Sequence, residues 1–278
     1  MIKIIFLDID GTLTNDEKVI TPKTREALLA AQEKGVKLAI ASGRPGRGLY
    51  RWAEELDLVS HHGLFVCFNG ASVMDSATKE ELYSHCMSVE DAKAVIRHIA
   101  QFDVIPMIAR SHHMHTTDIY GATIDYRHKE FDIVRFEARS NGFLLCEHRD
   151  LEAWITEPVE KVLTAGDPAY LRAHWEEMYE PFKDRLSGMF TSDYYFEYTA
   201  KGVDKGKAIA AVGERLGIAR EEMMAFGDAE NDIAMLKYVG CGVAMGNAME
   251  SVKAIADEVT LDNNHDGIAA ALEKHGVI

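Results

Sequence analysis

Lys3-Ile4-Ile5-Phe6-Leu7-Asp8-Ile9-Asp10-Gly11-Thr12-Leu13 is the stretch that decides the fold. Residues 3–7 form a short, β-branched apolar run, the signature of a strand buried on both faces of a sheet. Two carboxylates follow at once, two residues apart, and in an extended segment Asp8 and Asp10 point to the same side. Gly11 then lets the chain turn sharply. Such a pair can divide labour, one carboxylate as nucleophile and metal ligand, the other as general acid and base. Taken alone, the stretch also reads as a solvated acidic turn.

Working outward, strand and helix alternate. Thr21-Pro22 gives an N-cap with proline at the first helical position, and Gly35 closes that helix. Residues 36–41 predict a second strand, 45–56 a second helix and 64–68 a third strand. That rhythm means βαβ units and a parallel sheet. It breaks near residue 84. Ser88 with Asp91 opens a helix to about residue 101, followed by strand-like pieces at 104–109, 112–117 and 133–138. Asp167-Pro168 opens another helix, and strands are expected at 186–191 and 194–198. From Asp204 the βα rhythm returns, with a helix ending at Gly217 and strands at 223–226, 242–245 and 258–261. The predicted fold class is therefore α/β: a Rossmann-like parallel-sheet core at residues 1–83 and 191–278, with an inserted α+β cap at 84–190.

Three more features are read, like the first, at the ends of core strands, where open α/β sheets bind ligands. Ser42-Gly43-Arg44-Pro45 offers a hydroxyl and a glycine N–H before a helix, a site for phosphate oxygens or a plain N-cap. Lys205 stands in the first turn of a helix, a poor place for a cation unless it faces an anionic site. In Gly227-Asp228-Ala229-Glu230-Asn231-Asp232, Asp228 and Asp232 are four apart and share a helix face. Carboxylate oxygens suit a hard cation such as Mg²⁺, which takes one or two and fills its octahedron with water and phosphate.

Together these residues resemble the four motifs of the haloacid dehalogenase superfamily, read here as DxDGTL, SGR, KG and GDxxND. Phe68-Asn69-Gly70-Ala71, Val243-Ala244-Met245-Gly246-Asn247-Ala248 and Asn263-Asn264-His265-Asp266-Gly267 are similar to the Cof-like phosphatases with a type IIB cap. The resemblance implies a Mg²⁺-dependent phosphatase with Asp8 as nucleophile and metal ligand. It implies the Asp10 backbone carbonyl and Asp228 as further ligands, and the Asp10 side chain as acid and base. Ser42, Gly43, Lys205 and Asn231 would hold phosphate oxygens, and Asp232 would support the metal or orient Lys205. Sugar phosphates are the first substrate class expected, ahead of nucleotide, flavin and pyridoxal phosphates, and substrate choice would lie in the cap. A phosphomutase on the same core, or a non-catalytic phosphometabolite sensor, are the alternatives.

Bulk composition narrows the partners. The 278 residues carry 30 Lys and Arg against 45 Asp and Glu, a formal charge of −15, which argues against nucleic-acid backbones and anionic membranes. The four cysteines are scattered with no CxxC pair, as in reduced thiols, and no run approaches the roughly 18 apolar residues of a membrane span. The expectation is a cytoplasmic protein acting on a small phosphate ester, its oligomeric state left open. Ser111-His112-His113-Met114-His115 predicts a strand with His113 and His115 on one face. A metal site there is disfavoured because no cysteine or carboxylate stands nearby in the chain. Tyr194-Tyr195-Phe196 is expected to pack the interior.

Overall fold

A computed structural model describes residues 1–278. The chain opens with β1 (Ile4–Leu7), α1 (Pro22–Glu33), β2 (Lys37–Ala41), α2 (Tyr50–Glu55), β3 (Leu64–Cys67), β4 (Ser72–Asp75) and β5 (Glu81–Ser84). It continues through α3 (Val89–Ile99), β6 (Ile105–Arg110), β7 (His113–Thr116), β8 (Thr123–Tyr126), β9 (Lys129–Asp132), α4 (Ile133–Ser140), β10 (Leu144–Glu147) and α5 (Leu151–Trp154). Next come β11 (Lys161–Ala165), α6 (Pro168–Tyr179), β12 (Leu186–Ser192), β13 (Tyr195–Ala200), α7 (Lys205–Leu216), β14 (Met223–Gly227) and α8 (Ile233–Tyr238). The last elements are β15 (Cys241–Ala244), α9 (Glu250–Lys253), β16 (Glu258–Val259) and α10 (Gly267–Lys274).

These elements form two compact units, one of Met1–Ser84 with Val203–Ile278 and one of His85–Gly202. The first holds an eight-stranded sheet in the order β16-β15-β14-β1-β2-β3-β4-β5. Pairing is parallel from β16 to β3 and antiparallel from β3 to β5. Strand β1 sits inside the sheet, and Ile5, Phe6 and Leu7 are fully buried. That is why its sequence is apolar without alternation. The α/β class expected from the sequence is the class observed.

The second unit has a six-stranded mixed sheet, β10-β7-β6-β11-β13-β12, and a two-stranded ribbon, β8-β9. Strand β13 pairs antiparallel with β11 and with β12, so both late strands belong to this unit. The end of the insertion, expected at residue 190, therefore lies at Gly202. Its start falls between Ser84 and His85. Residues 133–138, read as a strand, are helix α4. Asp132 caps it by accepting from the Arg135 N–H at 3.0 Å, and Ile133, Val134 and Ala138 bury one face. Tyr195 and Phe196 are buried in different apolar clusters, one on each face of β13, as period two requires.

Candidate active site

Strands β14, β1, β2 and β3 are adjacent and parallel, so their carboxyl ends share one edge of the sheet. Asp8 follows β1, Ser42 follows β2, Phe68 and Asn69 follow β3, and Asp228 follows β14. The chain leaves β1 to pair with β2 on one side and with β14 on the other. Strand order thus reverses beside Asp8, the position where open α/β sheets form a ligand crevice.

Lys205 opens α7 behind the cap of Asp204, whose side chain accepts from the Lys207 N–H at 2.7 Å. Its ammonium is fully buried and donates to Asp8 Oδ1 and Asp232 Oδ1, each at 2.6 Å. Burial pushes the Asp8 carboxyl up to about 8; Lys205 opposes this and Asp232 adds to it. Burial also works against the charged ammonium, but Asp8 and Asp232 outweigh it and hold the Lys205 pKa above its usual value. Asp232 is used on both sides, since its Oδ2 accepts from the N–H groups of Asp228 and Ala229 at 3.0 and 3.1 Å. Glycine makes room for this packing. A Cβ on Gly206 would stand 2.5 Å from the Ala234 carbonyl oxygen.

Asp228 is half-buried and takes a hydrogen bond from Thr12 Oγ1 at 2.8 Å. Desolvation raises its carboxyl pKa, Thr12 lowers it, and the net direction is up. Gly11 has φ +85°, and a Cβ there would sit 2.5 Å from Asp228 Oδ2. Asp8, Asp228 and Asp232 bring one carboxylate oxygen each within 4.8 Å of one another. The single Lys205 ammonium does not offset the burial and mutual repulsion of three carboxyl groups, so Asp8 and Asp228 are both shifted toward their protonated forms. An all-oxygen donor set of this kind fits a hard divalent cation. With Asp232 committed to Lys205 and to two N–H groups, Asp8 and Asp228 are the side chains that remain for it.

Asp10 has two cationic partners of its own. Its oxygens meet Arg44 Nη2 at 2.9 Å and Lys18 Nζ at 3.0 Å. Desolvation works against ionisation, yet Arg44 and Lys18 prevail and hold the carboxyl below the usual range. Ser42 Oγ accepts from the Arg44 N–H at 3.2 Å, which fixes the loop that carries Gly43. A Cβ on Gly43 would approach the Asn69 side chain at 3.1 Å. Asn69 Oδ1 in turn accepts from Asn231 Nδ2 at 3.0 Å. Asp8, Lys205, Asp228 and Asp232 thus form one cluster, and Ser42, Gly43 and Asn231 join a second chain of contacts through Arg44 and Asn69.

Four partners were not singled out as site residues from the sequence: Thr12, Lys18, Arg44 and Asn69. Asn247 is a fifth, donating to the Gly11 carbonyl at 2.8 Å and accepting from the Asn263 N–H at 3.0 Å. Thr12 and Arg44 stand inside the quoted motifs, so the signal was present. Lys18 carried none.

Known proteins resemble this chain over nearly its whole length. A family model of haloacid dehalogenase-like hydrolases matches residues 5–272, and the chain belongs to that family. A 5-amino-6-(5-phospho-D-ribitylamino)uracil phosphatase of Bacillus subtilis, YcsE, is 32% identical over 280 residues, covering 100% of this chain and 96% of that protein. The crystal structure of a haloacid dehalogenase-like hydrolase from Bacteroides thetaiotaomicron superposes with a TM-score of 0.88 at 33% identity, covering 99% and 100% of the two chains. A sugar phosphatase of subclass IIB matches with a TM-score of 0.77 at 30% identity over 99% and 100%. The family resemblance and the enzyme class expected from the sequence are both borne out: the chain is a phosphoric monoester hydrolase of this family. No helix is long and apolar enough to cross a membrane.

Proposed function

We propose that the chain is a Mg²⁺-dependent phosphatase of small phosphorylated metabolites, sugar phosphates first, that works through an aspartyl phosphate on Asp8. The observation that carries this reading is the buried Lys205 ammonium 2.6 Å from Asp8 within a three-carboxylate cluster. A carboxylate that attacks a phosphate dianion faces like-charge repulsion. Two unit charges about 4 Å apart interact by roughly 4 kcal/mol at an effective dielectric of 20. Phosphoryl transfer is governed by positioning and charge neutralisation, and this cluster supplies both. Asp8, Asp228 and the Asp10 backbone carbonyl are the groups to hold Mg²⁺, which would supply charge neutralisation for the carboxylate and the phosphoryl oxygens.

In the first step an Asp8 oxygen bonds to phosphorus as the ester P–O bond breaks, and Asp10 delivers a proton to the departing oxygen. In the second, Asp10 takes a proton from water, the water oxygen bonds to phosphorus, and the bond to Asp8 breaks. Arg44 and Lys18 favour the ionised Asp10 that this second step needs and oppose the protonated form that the first step needs, so Asp10 has to take up a proton from solvent before the ester bond breaks. Lys205, Ser42, the Gly43 N–H and Asn231 hold phosphoryl oxygens, and Asp232 keeps Lys205 aimed at Asp8. Choice among leaving groups is assigned to the inserted unit, His85–Gly202.

The test is phosphate release from a panel of phosphorylated metabolites, with Mg²⁺ and with EDTA, for the native protein and Asp8→Asn. Release that needs Mg²⁺ and is lost in Asp8→Asn supports the reading. Isomerised substrate without free phosphate would replace it with a phosphomutase.

A further inference from the structure

The second unit carries a cluster of metal-ligating side chains that phosphate ester hydrolysis does not use. His115 on β7 and Cys146 on β10 are direct partners in the parallel register. His148 lies two residues past Cys146, so it returns to the same face. His115 Nδ1 and His148 Nε2 stand 2.8 Å apart, and one donor atom from each of the three residues lies within 4.8 Å of the others. The sequence offered the histidines of β7 no nearby cysteine. Strand pairing supplies one, with a further histidine beside it.

We propose that His115, Cys146 and His148 bind a late first-row divalent metal, zinc foremost, with the fourth position open to solvent. Two imidazoles and a thiolate are donors that Zn²⁺ favours and Mg²⁺ does not, so the two sites differ in ion class. Packing prearranges the rings. Trp154 of α5 stacks on His115 at 3.9 Å between centroids and lies 5.0 Å from His148. Arg110 is the adverse charge, and it is engaged with Glu157 at 3.6 Å and with the Glu157 and Pro158 carbonyls. The Cys146 thiolate offsets one charge of the metal. With Zn–N bonds of about 2.1 Å in a tetrahedron, the two nitrogens stand about 3.4 Å apart, so the rings separate by roughly 0.6 Å. On binding, the imidazole proton between the two nitrogens moves to the other nitrogen of its own ring, the Cys146 thiol gives up its proton to solvent, and the ion ties the edge strand β10 to β7.

The experiment is a Co²⁺ titration of the full chain in excess Mg²⁺, read by thiolate-to-cobalt charge-transfer absorption, with Zn²⁺ as competitor. The expected result is one equivalent of Co²⁺ giving the band, displaced by Zn²⁺. The band is absent in Cys146→Ser, and His148→Ala weakens Co²⁺ binding at least tenfold, with circular dichroism unchanged. No band in the native chain, a band that persists in Cys146→Ser, or unchanged affinity in His148→Ala overturns the site. Each would leave an imidazole pair with a neighbouring thiol. Carboxylate-bound cobalt cannot imitate the result, because it gives no thiolate charge transfer.

Discussion

Lys205 Nζ lies 2.6 Å from Asp8 Oδ1 although 197 residues separate the two in the chain. The intervening sequence includes the whole of the second unit, so the first unit closes its site only when its two segments assemble. The same ammonium meets Asp232 at 2.6 Å, and neither Lys205 nor Asp232 exposes any side-chain surface.

Removing that ammonium strands two carboxylates in a buried place. Lys205→Ala is therefore expected to cost roughly 3–5 kcal/mol of stability, the usual penalty for breaking a buried pair. Turnover should be lost with it. Chemical denaturation measures the first, and a loss under about 1 kcal/mol would mean that the charges are solvated.

Thr12 acts through Asp228. Thr12→Val keeps the shape and removes the 2.8 Å hydrogen bond that orients the carboxylate. Partners of metal ligands are typically worth 10–100-fold in metal affinity or activity. The expected outcome is a rise of about that size in the Mg²⁺ concentration needed for half-maximal phosphate release, with melting temperature little changed.

Gly11→Ala tests the close approach at φ +85°. An added Cβ would press on Asp228 Oδ2, and displacements near 1 Å in an active site can cost about 100-fold. Turnover should fall by about that factor. Stability should fall by more than about 1 kcal/mol, because alanine is strained at positive φ. Retained activity would show that Asp228 has room to move.

Acid stability depends in part on the last helix. Glu258 on β16 accepts from Lys274 at 2.9 Å and His275 at 2.8 Å. Desolvation raises its pKa, but these two donors outweigh it, and the folded value lies below the ordinary 4.5. A depressed folded pKa means that the unfolded chain binds the proton first as pH falls. The stabilisation is present above pH 4.5 and disappears as pH drops through the folded value. Glu258→Gln should lower stability at neutral pH and flatten the loss below pH 4.5, measured by denaturation across pH 3 to 7.

The parts of the site legible in the sequence were those written locally. Asp8, Ser42 and Asp228 each follow a buried apolar strand, so an apolar run with a polar stop was enough to find them. Asp204 and Gly217 mark the two ends of α7 by capping chemistry, and they placed Lys205 in its first turn. What the chain could not announce was pairing. Nothing within residues 186–200 says that β13 seeks β11, so the sequence does not mark the end of the second unit at Gly202. Helix α4 resembles a strand in sequence because Ile133 and Val134 are β-branched, while the Asp132 cap that makes it a helix is a side-chain hydrogen bond. The Asp10 contact with Arg44 joins two different loops, and the one with Lys18 depends on how the long loop between β1 and α1 folds back on itself. His115 with Cys146 is the clearest instance, since only strand register brings them together.

Asp8 is expected to carry the phosphoryl group during turnover. Rapid quenching during turnover, followed by mass spectrometry of the digested protein, should find one phosphoryl group on the peptide that contains Asp8. The group should be absent when Mg²⁺ is withheld and in Asp8→Asn. Full turnover in Asp8→Asn, or a phosphoryl group on any other residue during steady turnover, would contradict the account.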